Sequence, residues 1–458
     1  MQSHFDKLRE EYNSFIYNGY KLSKKDGFIF IEYNFEMGEI KFAPTTKIRI
    51  ENLNIINDYD SDMARQIVFS LGMVELVSYW KSACPPQIIV KCGALSKEDC
   101  IWWKKLYYNG LGEFFYINDI DVGFDDFVDI KSTQEMIFAP QSFNKSDLNI
   151  IPVGGGKDSI VTMEIFKKMR RKNFCFTVND QPARAESANI AGYDDNKIIK
   201  TYRTIDKELL NLNSRGFLNG HTPFSAIVAF LGLYCAYLIG AENIVLSNES
   251  SANESNIEGT SINHQYSKSF EFEMDFNNYV EQNITKDIKY FSVLRAFNEM
   301  QIAKQFSAFD SYHKAFKSCN VGSKKNIWCA NCAKCLFVYI ILSPFLTTKE
   351  LVEIFGENLL DKKSLKEIFD GLVGFSDVKP FECIGTKEEI NSAIIKTYDN
   401  MKRGQEQLPY LIKYYVERQE KTSCDNFDVL IKEFNSKNNI PQKFMPYVKE
   451  MYNYVTSV

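Results

Sequence analysis

Short apolar runs alternate with helix-like stretches through the middle of the chain. Four of these runs have the length and composition of buried strands: "LNIIPV", "NFCFTV", "KIIKTY" and "NIVLS". Helical patterns lie between them and begin at Lys157 and near Ala183, Ile205 and Pro223. Strands that alternate with helices form βαβ units around a parallel sheet. The pattern therefore predicts an α/β domain with a parallel sheet at residues 146–345.

The two flanking regions show different patterns. In residues 1–145, "GFIFIEYNFEMGEIKFAP" alternates around Met37-Gly38 like a β-hairpin, and helical and strand-like stretches follow it. This combination predicts an α+β N-terminal domain. Residues 346–458 have mostly helical patterns, such as "KEEINSAIIKTYDNMKRG". The chain is therefore expected to have three regions, with a helical region at its C-terminal end.

Composition indicates an ordinary globular protein. The chain has 458 residues, of which 45% are hydrophobic and 25% charged, and its formal net charge is -5. This charge gives no reason to expect a nucleic-acid partner. The uncharged stretch at residues 224–240 lies inside the α/β pattern, so we predict a buried helix there and no membrane span. The charged N-terminal stretch is unlike a secretory signal, and we expect a cytoplasmic protein.

Three consecutive glycines separate a predicted strand from a predicted helix in "IIPVGGGKDS". Glycines can adopt positive φ angles and allow a ligand to approach the main chain closely. Their amides, together with those of the following helix, can form an anion site. The next residues add a cation, a carboxylate that can orient the loop or help to hold a metal ion, and a hydroxyl. We predict that this segment binds nucleotide phosphates through Gly154, Gly155, Gly156, Lys157, Asp158 and Ser159.

The glycine segment differs from two common phosphate-binding motifs. The dinucleotide pattern G-x-G-x-x-G is not present, and no G-K-[ST] closes a four-residue spacer as in a Walker loop. The segment resembles the pyrophosphate loop S-G-G-x-D-S of the ATP pyrophosphatases, which split ATP into AMP and pyrophosphate. Gly154 stands where that motif has Ser, so one hydroxyl contact to phosphate is missing. The alternative is a tight strand-to-helix turn without a ligand.

Four of the 11 cysteines lie close together in "SCNVGSKKNIWCANCAKC". Cys319, Cys329, Cys332 and Cys335 have the spacing C-x9-C-x2-C-x2-C, which can surround one metal ion. Without an export signal, such a cluster indicates metal or catalysis more than disulfides. Four thiolates favour a structural zinc ion, and an iron-sulfur cluster is the alternative. A third interpretation uses two thiols as acid and base on opposite faces of a carbon acid, and unligated cysteines are a fourth.

Polar segments follow or adjoin the predicted strands. Parallel strands end at a crevice where ligands bind, so these segments are expected near the glycine segment. Each side chain taken alone is as well explained as a surface or capping residue, and Arg295 as an ordinary helix-surface residue. As a set they are better explained by a binding crevice, in which Arg295 could pair with a carboxylate or phosphate. The substrate-binding candidates are Ser247, Asn248, Asn253, Tyr266 and Arg295.

Four segments together resemble one family. "PVGGGKDS", "SNESSANESN", "NHQYSKSFEFE" and "WCANCAKC" followed by "SPFL" are similar to those of the MurL family, UDP-N-acetyl-α-D-muramoyl-L-alanyl-L-glutamate epimerases. The resemblance is most specific over residues 150–345. It implies inversion of the terminal L-glutamate of a UDP-muramoyl dipeptide to D-glutamate for peptidoglycan synthesis, with ATP and Mg²⁺.

The chemistry of such an inversion agrees with a pyrophosphate loop. The α-hydrogen beside a carboxylate is very weakly acidic, because its removal places a second negative charge beside the first. Transfer of AMP to the carboxylate gives a neutral acyl group, while the loop amides hold the leaving pyrophosphate. A base then removes the α-proton, and a proton returns on the other face. The unranked candidates for base and acid are His221, Glu249, His264 and Lys268.

Two alternatives retain ATP binding but change the function. Deazaguanine nitrile synthases and transfer-RNA thiolation enzymes also combine a pyrophosphate loop with a four-cysteine zinc site. An enzyme that modifies transfer RNA should have a basic surface, which the net charge of -5 does not indicate. The second alternative is an ATP-binding sensor or regulatory module without catalysis. Such a module would not need the polar segments at residues 247–253 and 263–268.

Overall fold

The computed structural model describes residues 2–253, 265–376, 379–418 and 426–457. Within these residues, eleven strands form a single sheet. The strands are β1 (Ser14–Lys25), β2 (Phe28–Met37), β3 (Ile40–Phe42), β4 (Thr45–Arg49), β5 (Gln87–Ala94), β6 (Asp129–Gln134), β7 (Ser146–Pro152), β8 (Asn173–Val178), β9 (Ile198–Thr204), β10 (Ala241–Leu246) and β11 (Lys289–Ser292).

The sheet contains two parallel blocks joined by antiparallel strands. Its order is β11-β10-β7-β8-β9-β4-β2-β1-β5-β6, and β3 pairs with β2. The block from β11 to β9 is parallel, as is the block of β1, β5 and β6. Between them, β4 pairs antiparallel with β9 and with β2, which also pairs antiparallel with β1. The N-terminal and central regions therefore share one continuous, mostly parallel sheet.

Eighteen α-helices of the described residues surround this sheet. They are α1 (Gln2–Glu11), α2 (Asp62–Trp80), α3 (Lys97–Gly110), α4 (Gly112–Ile117), α5 (Phe124–Phe127), α6 (Lys157–Ile165), α7 (Pro182–Ile190), α8 (Lys207–Ser214), α9 (Phe224–Ile239), α10 (Phe270–Asn283), α11 (Glu299–Ser307), α12 (Ala333–Leu342), α13 (Thr348–Phe355), α14 (Lys366–Val373), α15 (Lys387–Arg403), α16 (Tyr410–Arg418), α17 (Phe427–Lys432) and α18 (Met445–Thr456).

The predicted alternation of strands and helices is confirmed in the central region. The four apolar runs form β7 to β10, and helices begin within two residues of each predicted start. The predicted hairpin is confirmed as well, since Met37 of β2 pairs with Ile40 of β3. Strand β11 was not expected from the sequence. It has only four residues, "KYFS", which is too short for a periodic pattern.

Two hydrophobic cores cover the two faces of the central strands. Ile150 of β7 lies in a core with α2, α3 and α9, whereas the next residue, Ile151, lies in a core with α6, α11 and α12. Successive side chains of a strand point to opposite faces, so each central strand is buried on both sides. The helices after residue 346 extend the second core. The central sheet is thus held from both sides, and only its strand ends are available for a site.

The uncharged stretch after Pro223 forms the buried helix α9, as predicted. Its side chains pack into the first core, and the helix ends at Gly240, which adopts a left-handed conformation with φ of 75°. No helix in the described ranges is both long enough and apolar enough to span a bilayer.

The strand order of the central block determines where a ligand can bind. In chain order the strands β7 to β11 are arranged 3-2-1-4-5, and the order reverses between β7 and β10. In open parallel sheets, ligands bind at the carboxyl ends of the strands beside this reversal. The residues that follow β7 are Val153 and Gly154, and those that follow β10 are Ser247 and Asn248. The fold therefore brings two of the predicted site segments together.

Three buried asparagines connect the strands on either side of this reversal. Asn243 of β10 donates from Nδ2 to Oδ1 of Asn149 at 2.9 Å, and Asn149 of β7 donates to Oδ1 of Asn173 of β8 at 2.8 Å. Asn173 in turn donates to the carbonyl oxygen of Phe166. All three amides are almost fully buried, so a change in strand register would leave polar groups without partners.

We expect Asn149→Ala to destabilise the protein strongly. The substitution removes two hydrogen bonds and leaves polar atoms of Asn243 and Asn173 buried, which should cost about 2–4 kcal/mol of unfolding free energy. Urea denaturation followed by circular dichroism would measure the change. The exposed Asn211→Ala serves as the control and should stay within about 0.5 kcal/mol of the original protein. Equal changes in the two variants would contradict a structural role for the asparagine chain.

Candidate active site

A cleft opens at the carboxyl ends of β7, β8 and β10, beside the reversal of strand order. Its volume is about 410 Å³, within the usual range of small-molecule sites. One wall is apolar and consists of side chains from β8, α9 and β10: Phe176, Val178, Val228 and Leu246. The other wall is formed by polar side chains and by the main chain after β7. A lining of apolar side chains with a few polar groups is typical of a ligand site.

The glycine turn, residues 154–156, forms part of the polar wall. Gly155 has φ of 83°, and an added Cβ would lie 3.1 Å from the Cβ of Ala183. Glycine is therefore required at position 155 by the backbone itself. Gly154 lines the cleft, and an added Cβ there would meet no protein atom within 4 Å. Its lack of a side chain thus leaves main chain accessible from the cleft.

Helix α6 begins directly after the glycine turn, with Gly156 as its N-cap. The first N–H groups of an α-helix have no partners within the helix and carry a partial positive charge. The amide of Lys317 holds the turn by donating to the carbonyl oxygen of Gly155 at 2.8 Å, and Oγ of Ser159 donates to that of Gly156 at 3.1 Å. The turn and the helix start therefore present main-chain donors of the kind that bind anions.

Charged side chains around the cleft also favour an anionic ligand. Among the described residues that line it, one is acidic, Asp158, and four are basic: Arg184, Lys268, Lys317 and Lys334. Burial works against the charge of Asp158, but Lys157 and Lys334 outweigh this effect and hold the pKa of its carboxyl below the usual value. Asp158 is therefore ionised at neutral pH. A single carboxylate among several cations is an arrangement that can bind a phosphate group together with a metal ion.

Lys157 is buried and is not among the described residues that line the cleft. Its ammonium is almost fully buried and forms ion pairs with Asp158 and with Glu299, the first residue of α11. Burial opposes this charge, but the two carboxylates outweigh it and raise the pKa of Lys157. Burial raises the pKa of Glu299. The charge of Lys157 acts in the opposite direction but does not outweigh burial. The predicted contact between Lys157 and a phosphate stays a prediction, because in this structure Lys157 links α6 to α11.

The segment after β10 also lines the cleft. Ser247 and Asn248 both line it, in the position that the sequence predicts for substrate-binding residues. Oγ of Ser247 is buried and has no hydrogen-bond partner among the described residues. The carbonyl oxygen of Asn248 accepts a hydrogen bond from Oγ of Ser292 at 2.6 Å, which connects this segment to the end of β11. Ser247 thus lines the cleft, whereas its hydroxyl oxygen is buried within the protein.

Arg295 connects the two polar segments. It is fully buried, and its guanidinium donates to the carbonyl oxygen of Glu249 at 2.7 Å and to that of Lys268 at 2.6 Å. The same guanidinium also contacts the carboxylate of Glu273 at 3.2 Å. Direct substrate contact by Arg295 stays a prediction. What the structure assigns to Arg295 is the placement of the main chain at both segments.

The catalytic candidates are separated by the fold. Of the described candidates, Lys268 alone lines the cleft. Glu249 is buried near Lys268, and its carbonyl oxygen accepts a hydrogen bond from Arg295. His221 lies elsewhere, with Nδ1 at 3.8 Å from the carboxylate of Glu113 in α4. His264 is outside the described residues.

Two other predicted substrate-binding residues, Tyr266 and Asn253, are not among the described residues that line the cleft. Tyr266 is buried, and its hydroxyl lies 3.5 Å from the carboxylate of Asp275. Asn253 is the last residue of a short 3-10 turn, Ser250–Asn253.

Several cleft residues were missed by the sequence analysis: Arg184, Lys317, Lys334 and Cys383. Lys334 lies inside the cysteine motif, and its position there was a usable signal. The other three lie in α7 or in loops without any motif. Cys383 comes from the segment between α14 and α15, and only the tertiary fold brings it to the cleft.

The four predicted metal-binding cysteines come together at one edge of the cleft. Their sulfur atoms all lie within 4.8 Å of one another, with distances of 3.9 Å between Cys319 and Cys332, 3.7 Å between Cys329 and Cys335, and 3.5 Å between Cys332 and Cys335. Four sulfurs at about 2.3 Å from one tetrahedral ion would be about 3.8 Å apart. The arrangement thus has the dimensions of a mononuclear site.

Main-chain amides also favour thiolates at this cluster. The N–H of Gly322 donates to the sulfur of Cys319 at 3.0 Å, and that of Cys329 donates to the same sulfur at 3.4 Å. Such donors stabilise the ionised sulfur that binds a metal. Cys319 itself lines the cleft, so the cluster and the ligand site share a wall.

Comparisons with known proteins agree on one family. The family model described as the MurL N-terminal domain matches residues 6–293, and that of the MurL C-terminal domain matches residues 308–426. A protein of Xanthomonas oryzae pv. oryzae is 33% identical over 338 residues, which cover 72% of this chain and 74% of the relative. One of Salinispora tropica is 31% identical over 391 residues, covering 81% and 84%. Both relatives are named UDP-N-acetyl-alpha-D-muramoyl-L-alanyl-L-glutamate epimerase.

We expect substitutions at two neighbouring glycines to have different effects on stability. Gly155→Ala should lower the unfolding free energy by about 1–3 kcal/mol, because alanine is strained at a positive φ and would crowd Ala183. Gly154→Ala should change it by less than about 0.5 kcal/mol, because the added methyl group enters open space. Urea denaturation of both variants would test this. Equal losses would show that the turn is not built as described.

Proposed function

Because the chain belongs to the MurL family, we propose that it inverts the terminal L-glutamate of UDP-N-acetylmuramoyl-L-alanyl-L-glutamate to D-glutamate, with ATP as the activating substrate. The name of the relatives supports the reaction and the dipeptide substrate. The observation that carries the role of ATP is the glycine turn in a largely basic cleft at the reversal of strand order. We further propose that β7 to β11 form a nucleotide-binding core of the pyrophosphate-loop type.

Activation of the carboxylate would use the groups around the glycine turn. An oxygen of the substrate carboxylate attacks the α-phosphorus of ATP, and the bond to pyrophosphate breaks. The amides at Gly154 to Gly156 and at the start of α6 would hold the leaving pyrophosphate, and Lys317 and Lys334 would offset its charge. Mg²⁺ suits this site, because it commonly binds phosphates together with one or two carboxylates, and Asp158 supplies one.

Inversion then becomes possible at the activated acyl group. The acyl adenylate carries no carboxylate charge, so the electron pair of the broken Cα–H bond can pass to its carbonyl oxygen. A proton returns to the opposite face of Cα, and water releases AMP and the inverted glutamate. The overall change is ATP and water to AMP and pyrophosphate, together with inversion at one carbon. Only the activation step requires the glycine turn, and only the proton transfers require a base beside it.

We also propose that the four clustered cysteines bind one structural zinc ion. Their spacing matches a single tetrahedral ion, and four thiolates leave no open coordination position. In a four-iron cluster each cysteine binds a different iron atom, which would place the sulfurs farther apart. Zinc would fix the start of α12 and the segment at residues 317–320, both of which reach the cleft.

The proposed reaction predicts that inversion requires ATP and releases AMP. Purified protein is incubated in deuterated water with the UDP-muramoyl dipeptide, ATP and Mg²⁺. We expect D-glutamate with deuterium at Cα, together with AMP and pyrophosphate, and no deuterium uptake without ATP. Chiral chromatography and mass spectrometry of the hydrolysed product measure both. Inversion without ATP would exclude activation by adenylation, and AMP formation without inversion would favour another adenylating enzyme.

Gly154→Val provides a variant for the same assay. Its side chain would extend into the cleft beside the glycine turn without meeting protein atoms near its Cβ. We expect AMP formation to fall by about 100-fold, because a small displacement of the reacting groups has an effect of this size. Thermal unfolding of the variant should remain close to that of the original protein. Full activity of a folded Gly154→Val protein would exclude the turn as the phosphate site.

The zinc proposal predicts one tightly bound zinc ion per chain. Elemental analysis of the purified protein should show this ratio, and Cys332→Ser should lower both the zinc content and the melting temperature. Cys100 lies in α3, outside the cluster, and Cys100→Ser should retain the zinc. Iron with visible charge-transfer absorption, or a protein that keeps its stability without any metal, would contradict the assignment.

A further inference from the structure

Two residues from distant parts of the chain meet in the cleft. Lys268 lies in a short 3-10 turn before α10, and Cys383 lies between α14 and α15. Nζ of Lys268 donates a hydrogen bond to Sγ of Cys383 at 2.9 Å. Both side chains line the same cleft as Gly154 and Asp158. A thiol beside an ammonium group, next to the proposed phosphate site, is the arrangement expected for a reactive sulfur.

Three contacts hold the segment that carries Cys383. Nζ of Lys334 donates to the carbonyl oxygen of Cys383, and Nδ2 of Asn320 donates to the carboxylate of Glu382. The ring of Phe381 packs against Tyr116 of α4 with a centroid distance of 5.3 Å. The thiol is therefore positioned by contacts with the cysteine-rich segment and with the N-terminal region. Such external support is what a catalytic group needs to keep its geometry.

The main chain of Lys268 is also held by a hydrogen bond. The guanidinium of the fully buried Arg295 donates to the carbonyl oxygen of Lys268 at 2.6 Å, and Arg295 also holds the carbonyl oxygen of Glu249. The ammonium of Lys268 is thus presented to Cys383 from a main chain that Arg295 holds in place. The two side chains come from separate elements, so their hydrogen bond depends on how these elements pack.

The charges around this pair determine which member can act as a base. Burial works against the charge of Lys268, but Cys383, Glu249 and Asp158 outweigh it and raise the pKa of Lys268. Lys268 is therefore protonated at neutral pH and cannot accept a proton. A neighbouring cation lowers the pKa of a thiol. Of the described charged groups, Lys334 donates to the carbonyl oxygen of Cys383 and adds to this effect, whereas the carboxylates Asp158 and Glu249 act on the charge of Lys268.

We propose that Cys383 is the base that removes the α-proton of the activated glutamate, and that Lys268 is a positioning residue that stabilises its thiolate. In this step the Cα–H bond breaks, an S–H bond forms, and the electron pair of the C–H bond passes to the acyl oxygen. The opposite face of Cα then receives a proton that derives from water, and Cys383 returns its proton to water. This assignment rests on the proposed function, because it needs the acyl adenylate as its substrate.

Cys383→Ser tests the proposal in two separate half-reactions. Exchange of labelled pyrophosphate into ATP, in the presence of the UDP-muramoyl dipeptide, reports activation, and uptake of deuterium at Cα reports proton removal. We expect Cys383→Ser to keep pyrophosphate exchange within about tenfold of the original rate, whereas deuterium uptake from the L-epimer falls by about 100-fold or more. Cys100→Ser, outside the cleft, should retain both activities.

The outcomes of this assay separate the two proposals. If the original protein shows no pyrophosphate exchange with the dipeptide, the proposed function fails. If the original protein shows both activities and Cys383→Ser takes up deuterium at the original rate, Cys383 is not the base and only this inference fails.

A second experiment tests the pair without any catalysis. The rate at which iodoacetamide alkylates Cys383 is measured against pH by mass spectrometry of its peptide, in the folded protein without substrate. Because the thiolate is the reactive form, the rate rises with pH through the pKa of the thiol. We expect Lys268→Met to move this midpoint upward by about one pH unit or more, and Lys268→Arg to restore most of the difference.

Cys100 is the internal control in the same samples. Burial raises the pKa of this thiol to about 11, and its midpoint should not respond to substitutions at Lys268. An unchanged midpoint of Cys383 in Lys268→Met would overturn the proposed pairing. A thermal unfolding curve of each Lys268 variant shows whether that variant is folded under the conditions of the alkylation assay.

Discussion

Parallel pairing of β7 with both β8 and β10 is the constraint on which the site depends. Because the strand order reverses between β7 and β10, the chain leaves these two strands in different directions and a crevice opens between them. The buried asparagine chain holds the register of the three strands, and a hydrophobic core on each face prevents the sheet from shifting. The glycine turn and Ser247 line the same cleft for this reason.

The charged groups near this crevice form two sets, one that lines the cleft and one that is buried in the protein. The cleft itself is lined by basic side chains and by helix amides, which suits an anionic ligand. Below it, buried carboxylates are compensated within the protein, as in the contacts of Lys157 with Glu299 and of Arg295 with Glu273. The carboxylate of Glu389 in α15 also accepts the amide of Glu299 at 2.7 Å. The internal pairs fix helix positions, whereas cations that line the cleft already donate to protein atoms, as Lys268 does to the sulfur and Lys334 to the carbonyl oxygen of Cys383.

The helical C-terminal region contributes directly to the site. Its segment before α15 brings Cys383 to the cleft, and Glu389 anchors the start of α11. The cysteine cluster adjoins the cleft through Cys319, and Lys334 of its motif donates to the carbonyl oxygen of Cys383. The N-terminal region contributes through the shared sheet and through Tyr116, which packs on Phe381. A cleft lined by the central and C-terminal regions, and supported by the N-terminal region, can place a nucleotide, an acceptor and a base at once, as the proposed activation and proton transfer require.

The sequence by itself determined the local features: the alternation that builds β7 to β10, the glycine turn, and the four-cysteine spacing. These are visible because each depends on residues close together in the chain, such as Gly155, whose positive φ only glycine adopts without strain. Tertiary structure alone decided the junction of β4 with β9, the inward direction of Lys157, and the meeting of Lys268 with Cys383. These depend on contacts between residues far apart in sequence, and no local pattern records which distant side chains the packing of two cores will bring together.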